Sequence, residues 1–210
     1  MLLNEIIDTK QYKRKAPGHN FGNGRTVIPT RFSDPVGTGY FSYVKNKRND
    51  PHMVQKVNKN NVDPKHDGYN LYVKTIVDKN LADQNPYFPR VYRINSFVKN
   101  KQSAKITYEM ERLTPLSQLE YPMQRAILRR ITGSKDDKPN HIVNGIVDLV
   151  YNVIQGNVKC ADKALNQAGR TIKRLADKHW LELDIKAENL MARLGPYGAQ
   201  LVITDPVFDG

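Results

Sequence analysis

The stretch Asp184-Ile-Lys186-Ala-Glu-Asn189, followed by Ile203-Thr-Asp205, decides how this chain is read. It has the form D-x-K-x-x-N, then a turn, a short hydrophobic strand and a second aspartate sixteen residues after Asn189. Leu190-Met191-Ala192 and Leu201-Val202-Ile203 are expected to form the two arms of a hairpin, because Gly195-Pro-Tyr-Gly198 between them supplies turn geometry. Such a hairpin brings Asn189 and Asp205 side by side. D-x-K-x-x-N alone arises by chance in many chains, so its weight depends on what lies upstream.

Upstream, Gly37-Thr38-Gly39-Tyr40-Phe41-Ser42-Tyr43-Val44 reads G-x-G-x-F-S-x-V, a glycine-rich hairpin in which Ser42 takes the place of a third glycine. Glycines at 37 and 39 let the backbone approach phosphates closely, and an aromatic at 41 can cap the loop tip. Val54-Gln-Lys56-Val57 follows after a polar turn, so Lys56 falls on the next strand, nineteen residues past Gly37. A lysine there can reach the α- and β-phosphates of a nucleotide as a point charge. Singly, these are a hairpin turn and one surface lysine among many. In fixed order with Asp184, Asn189 and Asp205 they match the phosphoryl-transfer centre of protein kinases. There one Asp handles the nucleophile's proton, while an Asn and a later Asp hold magnesium.

Between these elements, Ala104-Lys-Ile106-Thr-Tyr108-Glu-Met110 alternates apolar and polar residues, as a half-buried strand should. It runs into Glu111-Arg112-Leu113. Protein kinases carry an M-E-x-L element here. By that resemblance Met110 is the gatekeeper, and the backbones of Glu111 and Leu113 contact adenine.

The chain most resembles the early serine/threonine protein kinases of T-seven-like podophages. The resemblance rests on Gly37 to Ser42, the Val-x-Lys56-Val strand, and Asn189-Leu-Met leading to Ile203-Thr204-Asp205-Pro206-Val207, and it covers about residues 35–210. It implies an α+β, two-lobed protein-kinase-like fold, with an antiparallel five-stranded N-lobe sheet plus helix and a reduced helical C-lobe. The expected division is a basic N-terminal arm over 1–25, the N-lobe over 26–113 and the C-lobe over 114–210. ATP would lie under residues 37–42 and Val44 and beside Lys56, with magnesium held by Asn189 and Asp205. Asp184 would accept the proton of a Ser or Thr hydroxyl, and Lys186 would offset charge on the γ-phosphoryl group. The resemblance implies host proteins of transcription or RNA processing as substrates, in the host bacterial cytoplasm.

The sequence also departs from the kinase pattern. Glu182-Leu183 stands where kinases carry His-Arg, and residues 57–108 contain no Glu to pair with Lys56. Tyr69, Tyr72, Val73, Ile76 and Val77 form an apolar stripe, so the helix that normally carries that Glu is expected, with Asp67 and Asp78 as its acidic candidates. Five residues follow Asp205, without an activation segment or lower helices.

Composition bounds the partners. With 210 residues, 39% hydrophobic and a mean hydropathy of -0.63, the chain reads as a soluble two-lobed module. No run approaches the ~20 apolar residues of a membrane span, and Met1 to Ile7 is too short and acidic for a signal peptide. Cys160 is the only cysteine, which excludes intramolecular disulfides and thiolate metal clusters. The formal charge of +12 concentrates in Lys10, Lys13, Arg14, Lys15 and Arg25, and on a helix expected from about Pro122 that carries Arg125, Arg129 and Arg130. Attraction to nucleotide and to acidic protein surfaces is favoured over nucleic-acid binding, since no zinc-finger spacing, RNA-binding aromatic signature or helix-turn-helix is visible. A first sheet strand is expected near Thr26 to Arg31.

Two apolar stripes make the lower lobe helical: Ile142, Val143, Ile146, Leu149, Val150 and Val153, then Ala161, Leu165, Ala168, Ile172 and Leu175. Three competing functions stand beside the kinase. One is a catalytically weak pseudokinase acting on a host factor by occupancy. Another is a basic binding protein that needs only its charge. The third is a small-molecule phosphotransferase of the aminoglycoside type, which normally has His before the catalytic Asp and a longer chain after the second.

Overall fold

Among the described residues, glycine and proline punctuate the chain into short strands and five α-helices. The computed structural model describes residues 19–21, 25–27, 32–38, 42–47, 50–58, 62–100, 103–134 and 141–209. The elements in order are β1 (His19–Phe21), β2 (Arg25–Val27), β3 (Phe32–Thr38), β4 (Ser42–Lys47), β5 (Asp50–Asn58), α1 (Gly68–Asp78), α2 (Leu81–Gln84), β6 (Val91–Asn100), β7 (Ser103–Glu111) and β8 (Thr114–Pro115). They continue with α3 (Tyr121–Thr132), α4 (Ile142–Gln155), α5 (Lys163–His179), β9 (Glu182–Leu183), β10 (Leu190–Gly195), β11 (Gly198–Ile203) and β12 (Val207–Phe208). The chain is α+β.

The main sheet has five strands in the order β3-β4-β5-β7-β6, and every neighbouring pair is antiparallel. Pro35 sits in edge strand β3 beside register shifts, where a residue without an N–H is tolerated. Among the described residues the sheet begins at Phe32, and β2 pairs with β1 in a separate ladder. Of the strand expected at Thr26 to Arg31, Thr26 and Val27 lie in β2, and residues 28–31 lie outside the described residues.

Helices α1 and α2 lie between β5 and β6 in the chain. Asp67 caps α1, accepting the Asn70 N–H at 2.6 Å. Tyr69, Tyr72, Val73 and Ile76 are buried, but Val77 is 45% exposed and does not extend the stripe. One turn beyond Val73 it faces past the core edge. Strand β7 also differs from the half-buried expectation: Thr107 and Glu109 are buried along with Ile106 and Tyr108. It lies between β5 and β6, so neighbours on both sides cover its polar residues.

Below the sheet, α4 and α5 pack through Ile146, Val150, Val153, Leu165, Ala168 and Ile172, all buried. Each large aliphatic side chain so buried contributes about 1.5–3 kcal/mol. Ala161 falls outside the stripe: it is exposed, and the helix starts after the Asp162 cap, which accepts the N–H groups of Ala164 and Leu165. One apolar core continues from Tyr69, Ile106 and Tyr108 through α3–α5 to Leu190, Leu201 and Ile203. The hairpin β10–β11 pairs from Leu190↔Ile203 to Gly195↔Gly198, and β8 extends it on the β10 side. Gly198 has φ +112, a conformation L side chains rarely adopt. No helix among the described residues is long and apolar enough to cross a membrane.

Candidate functional site at the junction of the sheet and the hairpin

Lys56 lies on β5, flanked by Val44 of β4 and Tyr108 of β7. Its Nζ donates to Asp205 Oδ2 at 2.7 Å, although the two residues are 149 apart in the chain. The same nitrogen sits 3.3 Å from the centroid of the Tyr69 ring, which α1 presents from beneath the sheet. Side-chain exposures of 14% for Lys56 and 31% for Asp205 place the pair at the edge of solvent, where a ligand can reach it.

Asp205 arrives there because the hairpin delivers it. Leu190 opposes Ile203, and both the N–H and the hydroxyl of Thr204 donate to the Asn189 carbonyl, at 2.9 and 3.0 Å. Tyr72 Oη donates to the Ile203 carbonyl at 2.7 Å, and Ile203 N–H to the Tyr87 carbonyl at 2.9 Å, so the strand end is held from α1 and from the loop before β6. The hairpin expected from the sequence is present, and it sets Thr204, the residue before Asp205, against Asn189.

On the neighbouring loop, Asn189 Nδ2 donates to the Asp184 carbonyl at 2.7 Å and to Asp184 Oδ2 at 3.0 Å. Lys186 Nζ pairs with the same Oδ2 at 2.7 Å. The hydrogen bond to Asp184 raises the Lys186 ammonium above its ordinary range, and the charges of Asp184, Glu188 and Asp205 add to it. Asp184 and Lys186 thus belong to one electrostatic group with Asp205. Asp184 is held by donors yet partly open to solvent, an arrangement in which a carboxylate could accept a proton from an incoming group.

The chain after Asp205 closes the site. Asp184 N–H donates to the Pro206 carbonyl at 2.9 Å, and Val207 and Phe208 pair with Leu183 and Glu182. Asp209 Oδ1 accepts the Gly68 N–H at 3.1 Å, so this segment also caps α1. A Cβ on Gly68 would lie 3.0 Å from the Phe208 Cα, so a side chain there would make the Phe208 backbone give by a few tenths of an ångström. Burial raises the Asp67 carboxyl above its ordinary value; Asp209 and Asp205 raise it further, while the Asn70 N–H and Lys56 oppose them. Asp78, the other acidic candidate on α1, is exposed at the far end of the helix.

Of the expected nucleotide loop, Gly37 and Thr38 close β3 opposite Val44 and Tyr43, and Ser42 and Val44 lie on β4. Gly39, Tyr40 and Phe41 lie outside the described residues, as does the arm with Lys13, Arg14 and Lys15. Met110 is buried and its sulfur accepts the Tyr69 hydroxyl at 3.5 Å. Glu111 donates its N–H to the Arg90 carbonyl at 3.0 Å, so that group is bonded within the chain. Leu113, half-buried, lies one residue before β8.

The donor set bears on which metal the site could hold. Asn189 spends its amide nitrogen on Asp184, leaving the amide oxygen, and Asp205 supplies one carboxylate. Oxygen-only donors and a single strong carboxylate suit magnesium, which keeps several waters and takes its other ligands from substrate phosphates. Among the described residues no group of three or more His, Cys, Asp or Glu could hold a metal alone. Such a site fits a cation that arrives with its phosphates.

Sequence reasoning missed three participants: the Tyr69 ring under Lys56, Asp209 on the α1 N-terminus, and Arg193, which joins the hairpin to Glu111. Only Tyr69 had a local signal, as an aromatic in the first turn of the helix expected to face Lys56. No protein-family model matches the chain, and no curated protein matches it. The functional reading rests on the geometry above.

Proposed function

We propose that this protein is an ATP- and magnesium-dependent serine/threonine protein kinase of phage type, with a two-lobed kinase-like fold and a reduced lower lobe. The observation that carries the reading is the meeting of Lys56 and Asp205 at 2.7 Å beside Asp184, Lys186 and Asn189. A lysine on the third of five antiparallel strands, a helix inserted before the fourth, and a hairpin ending in Asp are the parts from which kinases assemble a phosphoryl-transfer site. Their order in the chain is the expected one.

In this reading Lys56 binds the α- and β-phosphates, and Asn189 and Asp205 would hold the magnesium. The metal would neutralise charge that develops on the transferred phosphoryl group. Asp184 orients the substrate hydroxyl and takes its proton, and Lys186 offsets negative charge next to it. Catalysis is positioning and electrostatics, without a covalent enzyme intermediate. Acidic surfaces on host proteins are the substrates that the +12 charge favours, in the bacterial cytoplasm. Arg129 and Arg130, exposed on α3, are one face that could meet them.

A second reading, a pseudokinase acting by occupancy, draws on one observation: among the described residues Lys56 has no carboxylate from α1 in direct contact, and its ion pair is with Asp205. Incubation with γ-labelled ATP, magnesium and a bacterial lysate separates the two. Label on lysate proteins that disappears with Asp184→Asn supports the kinase; no transfer to any protein or to the chain itself leaves the pseudokinase.

A further inference from the structure

We propose that Tyr69 is the positioning residue for Lys56, its ring doing the work that a helix glutamate does in other phosphotransferases of this architecture. The inference rests on the kinase reading of the site and names a part that this reading lacks. The Lys56 ammonium stands 3.3 Å from the ring centroid, well inside the ~6 Å reach of a cation–π contact.

The ring is fixed from several directions. Its edge meets the Tyr108 ring at a centroid distance of 4.9 Å and 88°, its hydroxyl donates to the Met110 sulfur, and α1 holds its backbone in the first turn. Only 8% of Tyr69 is exposed, so the contact is largely desolvated, which is where cation–π contacts are strongest. Burial pushes the phenol well above its ordinary range, so the ring stays neutral.

The two partners of Lys56 have different fates when a magnesium nucleotide arrives. In the kinase reading Asp205 would hold the magnesium and so would release the ammonium. Tyr69 has no competing ligand and stays. A ring attracts the ammonium without neutralising it, so the full positive charge remains for the phosphates. Asp67, at the N-terminus of α1, makes no direct ion pair with Lys56: its Oδ1 accepts the Asn70 N–H, and it acts on Lys56 through space.

Two measurements test the assignment. The first needs no ligand: in protein labelled on lysine, the Lys56 Cε protons, assigned by their absence in Lys56→Arg, should show an upfield ring-current shift. That shift should survive in Tyr69→Phe and vanish in Tyr69→Leu. The second is the Kd of Mg–ATP by calorimetry across a double-mutant cycle. Tyr69→Phe should stay within about twofold of wild type, and Tyr69→Leu should weaken binding about tenfold. In a Lys56→Met background Tyr69→Leu should cost nothing further. Equal losses in both backgrounds would make Tyr69 a packing residue and overturn the proposal. Mg–ATP binding by a wild-type chain without the shifted resonance would overturn the Tyr69 assignment alone. The shifted resonance in a chain that binds no Mg–ATP would overturn the kinase reading, and the positioning role with it.

Discussion

Arg193 of β10 clasps Glu111 at the end of β7: Nε donates to Oε2 at 2.7 Å and Nη2 to Oε1 at 2.5 Å. The guanidinium also donates to the carbonyls of Pro86 and Phe88, and Glu111 accepts the Arg90 N–H at 2.8 Å. The side chains are 17% and 7% exposed, so both charges are largely out of water. This bidentate pair ties the last strand of the main sheet to the hairpin that carries Asn189 and Asp205.

Removing either partner should therefore leave an uncompensated charge. Arg193→Met or Glu111→Leu alone is expected to cost about 3–5 kcal/mol, whereas the double substitution should recover much of it. Thermal unfolding of the four proteins checks this. Additive losses would mean that the pair is not coupled.

The two aspartates of the site should fail differently. Asp184→Asn is expected to lower phosphoryl transfer by about 10²–10⁴-fold while Mg–ATP affinity and thermal stability stay near wild type, because in the proposed mechanism Asp184 acts on the hydroxyl. Asp205→Asn should instead weaken magnesium-dependent ATP binding. Single-turnover transfer measured beside equilibrium binding separates them. A loss of binding in Asp184→Asn would move that residue into the metal site.

Asp67 gives a stability prediction with a definite sign. Its folded pKa lies above the ordinary 3.8, chiefly through burial, so the folded state holds the proton more tightly than the unfolded chain. Its contribution is fully present below about pH 3.8 and is lost as pH rises through the raised folded value. Asp67→Asn keeps a side-chain oxygen for the Asn70 N–H but cannot ionise. Denaturant midpoints should match wild type in acid and exceed it at neutral pH. A variant less stable at pH 7 would show that attraction to Lys56 and the N–H outweighs burial.

The basic arm should govern substrate encounter and leave the chemistry alone. Replacing Lys13, Arg14 and Lys15 by Ala is expected to slow phosphorylation of an acidic protein, more at low salt than at high, since exposed charges are screened within ~8 Å at physiological ionic strength. Autophosphorylation should hardly change. Duplex DNA or RNA binding that persists in Lys56→Ala and Asp184→Asn, together with an unchanged cellular effect, would make the basic surface the function.

Much of the frame was legible because it is written locally. Gly195 to Gly198 marks a turn, Leu201 to Ile203 a strand, and the 3.6-residue stripes of α4 and α5 two helices, each from its own neighbours. Lys56 could be placed on a strand for the same reason. The contacts that tune the site span 141 residues from Gly68 to Asp209 and 82 from Glu111 to Arg193. Arg193 and Asp209 resemble ordinary surface charges in the sequence, since nothing in their flanks announces a partner. Val77 and Ala161 misled for a related reason: periodicity continued past the point where tertiary packing ended.

The segment from Pro206 to Asp209 works as a short tether. One end follows directly on Asp205, its middle is bonded to the loop around Asp184, and its far end is fastened to the first N–H of α1. Lys56 and Tyr69 lie at the other side of the same ring of contacts. A turn of Asp205 would therefore pull, through four residues, on the helix that bears Tyr69. Were the proposed magnesium to draw on Asp205, its arrival and the alignment of Lys56 would be one mechanical event, carried by chain already fastened at both ends.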